Sequence, residues 1–145
     1  MPETVWAVVV TFERSARLRE CLTALRAQTR PPETVLVVDN ASRDDTPDMV
    51  RTEFPEVTLL ALTINGGGAG GFATGLERAL AGGADLAWLL DDDTIPRPDA
   101  LGRLLAARTR APEAELLASA VEWSDGTLHP MNLPGLWRDD VEALI

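Results

Sequence analysis

Lysine is missing: every one of the 13 basic residues in this 145-residue chain is arginine. That removes the phosphate-gripping lysine of P-loop enzymes and any Schiff-base lysine. It also counts against a phosphoaspartate or haloacid-type hydrolase, whose site relies on one. The only cysteine, Cys21, excludes an internal disulfide and a cysteine-built zinc cage. It falls on the apolar face of an expected helix and reads as a buried thiol. The only histidine, His129, precedes Pro130 in a turn-rich stretch and is left out of any metal site. No apolar run approaches the roughly 18 residues of a spanning helix, so no transmembrane segment is expected. The N-terminus also lacks the basic-then-apolar layout of a signal peptide. Positive charge is scarce as well. A formal net charge of −10 argues against a duplex-binding surface and a nucleic-acid partner. One bound phosphate ligand stays compatible with it, since that needs only local donors or a metal. With 46% hydrophobic and 25% charged residues, positions 1–145 read as one globular domain with a real core.

What is present is organised around Leu86–Pro96. Ala87 to Leu90 is too short an apolar run for a helix and reads as a buried strand; it runs straight into Asp91, Asp92 and Asp93. Pro96 and Pro98 end it, and a helix is expected over Asp99 to Ala107. Adjacent carboxylates repel, and a divalent cation taking oxygen ligands would justify the cluster. The competing reading is a solvated loop whose acids cap the next helix.

Before this stretch, Val5 to Thr11 is a continuous β-branched run, the pattern of a parallel strand covered on both faces. Ser15 is expected to cap a helix whose Leu18, Cys21, Leu22 and Leu25 share a face. Thr34 to Val38 is a second strand, ending at Asp39-Asn40. Thr46-Pro47 opens a helix over Asp48 to Phe54. Val57 to Leu62 is a third strand, and the glycine run Asn65–Gly71 leads into a helix over about Phe72 to Ala81. After the acidic stretch, Leu116 to Trp123 is expected as a fifth strand, Ser124–Thr127 as a hairpin or tight bend, and Asp139–Ile145 as the start of a helix. Trp6, Trp88 and Trp123 read as core; Trp137 lies outside the expected strands.

Alternating strands and helices make this an α/β fold with an open, mostly parallel sheet and helices on both faces. Such sheets bind ligands beyond the carboxyl ends of their strands. Thr11-Phe12-Glu13, Asp39-Asn40, Asn65–Gly71 and Asp91–Asp93 all fall there, and their convergence outweighs any one motif. Gly66, Gly68 and Gly71 satisfy G-x-G-x-x-G, with Asp91 20 residues further on, as in a dinucleotide-binding oxidoreductase. Against this, the run follows the third strand. The alternatives are a loop letting backbone approach a diphosphate or sugar, and a permissive loop in a non-catalytic α/β binding module. Asp39 either meets a base or ribose or caps its own turn. Glu13 is explained by a helix first turn alone.

Taken in order, VVVTFER, VLVVDNASRDDT, NGGGAGGF and WLLDDDT resemble the nucleotide-binding half of the family-2 glycosyltransferases of GT-A fold, from about Val5 to Val121. DDD with GGAGGF is most similar to their galactofuranosyl- and rhamnosyltransferase branch. The resemblance implies that Thr11, Phe12 and Glu13 frame the nucleoside and that Asp39 contacts a uracil or thymine base. It implies that Asn65, Gly68, Gly70 and Gly71 lie along a UDP- or dTDP-sugar, and that Asp91 or Asp92 meets the ribose or sugar. Asp93, with Asp91, would hold Mn²⁺ or Mg²⁺. Glu13 departs from the asparagine many relatives carry. Relatives usually continue well past this length. The acceptor half and the catalytic base are therefore expected beyond Ile145, with no catalytic residue inside the chain. The acceptor would be a glycan or lipid-linked, and the intact enzyme cytoplasmic, associated peripherally with the inner face of the membrane.

Overall fold

β1 (Val5–Thr11) is buried at every position. With no polar face to turn to water, it needs cover on both sides and a neighbour along each edge. The computed structural model, which describes residues 3–129, supplies both. β2 (Thr34–Asp39) pairs with β1 on one edge and β4 (Leu86–Asp91) on the other. β3 (Thr58–Ala61) lies outside β2, so the order is β3-β2-β1-β4, with every pairing parallel. Parallel neighbours require crossovers, made here by α1 (Ser15–Arg26), α2 (Thr46–Glu53) and α3 (Gly67–Ala81). α4 (Ala100–Arg110) follows β4. The chain divides into the units Met1–Leu101 and Gly102–Ile145, and the whole sheet belongs to the first.

The pleat sorts the core into two layers. Ala7, Val9, Val37 and Leu90 pack with Leu18, Cys21, Leu22 and Leu25 of α1 and Met49 and Val50 of α2. Trp6, Val8, Val10, Leu36 and Val38 face Ala79 and Phe72 of α3. Burying each large aliphatic side chain stabilises the fold by about 1.5–3 kcal/mol, enough to fix the register against a slip. The α1 face is the one its 3.6-residue periodicity indicates, and Cys21 is buried in it.

The elements depart from the sequence expectations in a few places. α3 starts at Gly67, so most of the expected glycine loop is helix. Glycine disfavours a helix interior by about 1 kcal/mol per residue. Here close packing outweighs that: a Cβ on Gly71 would sit 2.6 Å from Val10 Cγ1, and one on Gly75 2.4 Å from Val8 Cγ1. Neither expected cap acts as one. Arg14 and Asp45 precede α1 and α2 without side-chain caps, Ser15 and Thr46 are already helical, and the buried Thr46 Oγ1 has no partner.

The expected fifth strand is absent. Residues 116–120 have no regular structure, and Leu116 is 91% exposed. A mostly apolar run cannot hold a strand without a ladder to share its N–H and C=O groups. Glu122 makes only an isolated antiparallel bridge to Leu128, across a turn where Gly126 takes φ +84° and Thr127 N donates to Asp125 Oδ1. That is the tight bend expected at Ser124–Thr127. Trp123 is 54% exposed against His129, not core as expected. Trp137 and Asp139–Ile145 lie outside the described residues. Among those described, no helix is long and apolar enough to cross a membrane.

Candidate functional site

Parallel register brings the strand exits to one rim. Thr11 is the Cα partner of Asp39, Val10 of Asp91, and Asp39 of Ala61. All four clusters marked in the sequence therefore meet at the carboxyl edge of the first unit. The pleat continues the sorting. Thr11, Asp39 and Asp92 follow the α1/α2 face, while Asn40 and Asp91 follow the α3 face.

On the first face, the Thr11 hydroxyl donates to Asp92 Oδ2 at 2.8 Å, joining the ends of β1 and β4. Asp92 is only 5% exposed, and its other oxygen lies 3.4 Å from Arg14 Nη1. The same nitrogen is 3.4 Å from Asp93 Oδ2. Of the acid run, Asp92 is turned inward and pins the rim, while Asp91 and Asp93 are exposed. Desolvation first, then the adjacent Asp93 and Asp92, push the Asp91 carboxyl above its ordinary value, with Arg14 opposing. The connection from β4 is pinned to the end of α1 by the buried Gln28, whose Nε2 donates to Arg97 O at 2.7 Å and whose Oε1 accepts from Leu101 N at 3.2 Å.

Beside these acids, Asp39 is buried and accepts from Ser42, through both the backbone N–H at 3.3 Å and the hydroxyl. Ser42 Oγ in turn accepts from Glu13 N at 2.8 Å. Glu13 (φ +51°) and Ala41 (φ +63°) both hold left-handed backbone without being glycine. Such conformations cost on the order of 1 kcal/mol each and persist where neighbours hold them. Ser42 does so between the two turns. Asp39 thus closes its own turn, as one of the sequence readings has it, and also stands at the rim. Phe12, the next residue after β1, is 42% exposed.

On the α3 face, the buried Asn40 bridges β2 to the glycine run. Its Nδ2 donates to Gly67 O at 2.9 Å, and its Oδ1 accepts from Gly66 N at 3.4 Å. Asn65 Oδ1 accepts from Gly67 N at 2.8 Å, and Gly67 itself sits at φ +71°. The glycines divide by role. Gly71 packs on Val10 and Asn40, whereas a Cβ on Gly68 or Gly70 would meet nothing within 4 Å. Open space therefore lies over Gly68 and Gly70, in the first turn of α3. Sequence reasoning placed Asn40 at the rim but gave it no contact, and it assigned no role to Arg14 or Ser42. The available signal was a polar residue with turn chemistry directly after a buried strand.

Among the described residues, no group of three or more His, Cys, Asp or Glu is arranged to enclose a metal ion. The donors present fit a different kind of site. Asp91 and Asp93 are hard oxygen ligands in the number that Mg²⁺ or Mn²⁺ takes when phosphates and water complete the shell. The Arg14 guanidinium already places a positive charge between Asp92 and Asp93.

The sequence model of one family, Glycosyl transferase family 2, matches residues 6–134. The galactofuranosyltransferase GlfT1 of Mycobacterium tuberculosis is 43% identical over 133 residues, covering 90% of this chain and 40% of its own length. The N-acetylglucosaminyl-diphospho-decaprenol L-rhamnosyltransferase of the same species is 29% identical over 159 residues, covering all of this chain and 50% of its own. The chain thus spans half or less of these relatives. The mannosyltransferase PcManGT from Pyrobaculum calidifontis, solved with GDP-Man and Mn²⁺, superposes with a TM-score of 0.64 at 26% identity, covering 85% of this chain and 36% of that one. The match over most of the sequence and the parallel sheet with its acid rim agree: the chain belongs to glycosyl transferase family 2.

Proposed function

We propose that this chain is the donor-binding part of an inverting glycosyltransferase that moves a sugar from a UDP- or dTDP-sugar to a hydroxyl of a glycan or lipid-linked acceptor. The observation that carries this reading is the meeting of Thr11–Glu13, Asp39, Asn65–Gly71 and Asp91–Asp93 at one rim of a parallel sheet. Phe12, which is exposed, and Asp39 are assigned to the nucleoside. The open backbone at Gly68 and Gly70 is assigned to the diphosphate and sugar, with Asp91 at the ribose or sugar.

In transfer, the bond from the anomeric carbon to the diphosphate breaks as one to the acceptor oxygen forms, and the acceptor's proton passes to a base. No residue of this rim is assigned that role; the base is sought in the length of the relatives that this chain does not span. The first N–H groups of α3 face the charge that grows on the leaving diphosphate. Mn²⁺ or Mg²⁺ held by Asp93 and Asp91 would supply further neutralisation of that charge. The names of the galactofuranosyl- and rhamnosyltransferase relatives support the sugar-transfer class, the diphospho-decaprenol in the second supports a lipid-linked acceptor, and the Mn²⁺ in the mannosyltransferase complex supports the metal. Such an acceptor would place the whole protein peripherally at the cytoplasmic face of a membrane.

The test is calorimetric titration of UDP, dTDP and GDP into the chain, with and without Mn²⁺. UDP or dTDP binding that strengthens with Mn²⁺, and loses that dependence in Asp93→Ala, is the expected result. Binding indifferent to Mn²⁺, or unchanged by the substitution, contradicts the metal assignment. Preference for GDP contradicts the pyrimidine assignment. No nucleotide binding at all leaves the non-catalytic module.

A further inference from the structure

Among the described residues, Arg14 is a cation that lies against the acid run, and its contacts are looser than those of the tightest ion pairs. Arg19 grips Glu53 through two bonds of 2.7 and 2.9 Å, and Arg26 reaches Glu56 at 2.6 Å, the short contacts of charge-assisted hydrogen bonds. Arg14 instead sets a single nitrogen 3.4 Å from each of two carboxylates, Asp92 and Asp93. That is a counter-ion lying between charges. Its side chain is 57% exposed, while Asp92 is buried and accepts from the Thr11 hydroxyl. Arg14 also precedes α1 without capping it, so helix formation does not demand this side-chain position.

We propose that Arg14 is an exchange residue: it neutralises Asp93 in the ligand-free protein, yields Asp93 to the divalent cation, and then turns to the donor's diphosphate. This rests on the donor-binding reading above and adds a positioning and anion-recognising role for a residue that the acid motif does not include. Two consequences of opposite sign follow. Arg14 competes with the cation for Asp93, so its removal tightens cation binding when no nucleotide is present. A loose, exposed pair of this kind limits the gain to about two- to fivefold. With the cation in place, Arg14 donates to an anion, so its removal weakens nucleotide binding by about tenfold, the scale of one hydrogen bond to a charged group.

The experiment compares the unmodified chain with Arg14→Gln and Arg14→Lys. Mn²⁺ affinity is measured alone, by electron paramagnetic resonance of the free ion, and UDP affinity calorimetrically at saturating Mn²⁺. Expected for Arg14→Gln is tighter Mn²⁺ and weaker UDP binding. Arg14→Lys, which keeps the charge but not the planar fork, is expected to restore the Mn²⁺ competition. A purely structural pair would weaken both affinities together or change neither, and either result overturns the proposal. Thermal unfolding of the variants without ligand separates misfolding from exchange, and if Arg14→Gln does not fold, Arg14→Lys carries the decision: Mn²⁺ affinity more than fivefold from the unmodified chain overturns it. If the unmodified chain binds UDP with Mn²⁺ and Arg14→Gln matches it, only the exchange fails. If the unmodified chain shows no Mn²⁺-dependent UDP binding, the donor-site reading and the exchange fall together.

Discussion

Two glycines of α3 should respond to the same substitution with opposite sign. A methyl group on Gly75 would lie 2.4 Å from Val8 Cγ1 and 3.2 Å from Val38 Cγ2. Carbon atoms attract best at about 3.5–4.0 Å, so the helix must lift or the valines must move by about an ångström. Neither valine has room: both are fully buried in the middle of the sheet and, being β-branched, are restricted at χ1. Overpacking of this sort costs about 1–3 kcal/mol, against a gain of up to about 1 kcal/mol from alanine's helix propensity. Gly75→Ala should therefore be destabilising by about 1–2 kcal/mol. Gly70→Ala meets nothing within 4 Å and keeps only the propensity gain, about 0.5–1 kcal/mol. Urea denaturation reads both as shifts in midpoint at constant slope. Thermal unfolding should separate the two variants by several degrees, at about 2–4 °C per kcal/mol for a chain of this size. If Gly75→Ala proves as stable as Gly70→Ala, the claim that α3 lies on β1 through its glycines is wrong. Gly70→Ala has a second use. A gain in stability together with weaker UDP binding would place the donor against that backbone, whereas unchanged binding would mean the space there is merely permissive.

Thr11→Val keeps the shape of the side chain but removes the hydroxyl that donates to buried Asp92, and should cost about 1–3 kcal/mol by urea denaturation; a neutral result would mean that Asp92 does not depend on Thr11. Burial first, and then the Asp92 and Asp93 carboxylates, push the Cys21 thiol up to about 12. In the unfolded chain it ionises near its ordinary value while the folded protein keeps it protonated. Its contribution to stability is therefore complete below about pH 8.5 and falls as pH rises from there toward 12. Labelling by a thiol reagent at pH 9 should be slow in the native protein and fast in urea; equal rates would contradict the burial.

Much of the fold was legible because β1, β2 and α1 carry strong one-dimensional signals; β4 is the strand expected at Ala87–Leu90, but of its residues only Leu90 is buried. Val5 to Thr11 has no polar position, and Leu18, Cys21, Leu22 and Leu25 repeat at helical spacing. The start of α3 was not legible. Local propensity disfavours a glycine helix, and the compensating contacts with Val8, Val10 and Asn40 come from distant strands. Leu116 to Trp123 shows the converse: its local pattern suits a strand, but pairing depends on a partner the pattern cannot supply. The site divides the same way. That the acids would share a rim follows from strand order alone. That Asp92 turns inward to Thr11 while Asp91 stays exposed follows from the pleat, once the β1–β4 register is known. Arg14 stayed hidden because its partners lie nearly 80 residues away, at a separation of 78 from Asp92 and 79 from Asp93.

Backbone amide spectra recorded while Mn²⁺ is added in the presence of UDP test the central claim most directly, since the bound ion broadens the signals nearest to it. The account predicts loss of signal confined to the rim, at Thr11–Arg14, Asp39–Ser42, Gly66–Gly71 and Asp91–Thr94, with no such pattern in Asp93→Ala. Broadening centred on any other part of the sheet, or none while UDP is bound, would contradict it.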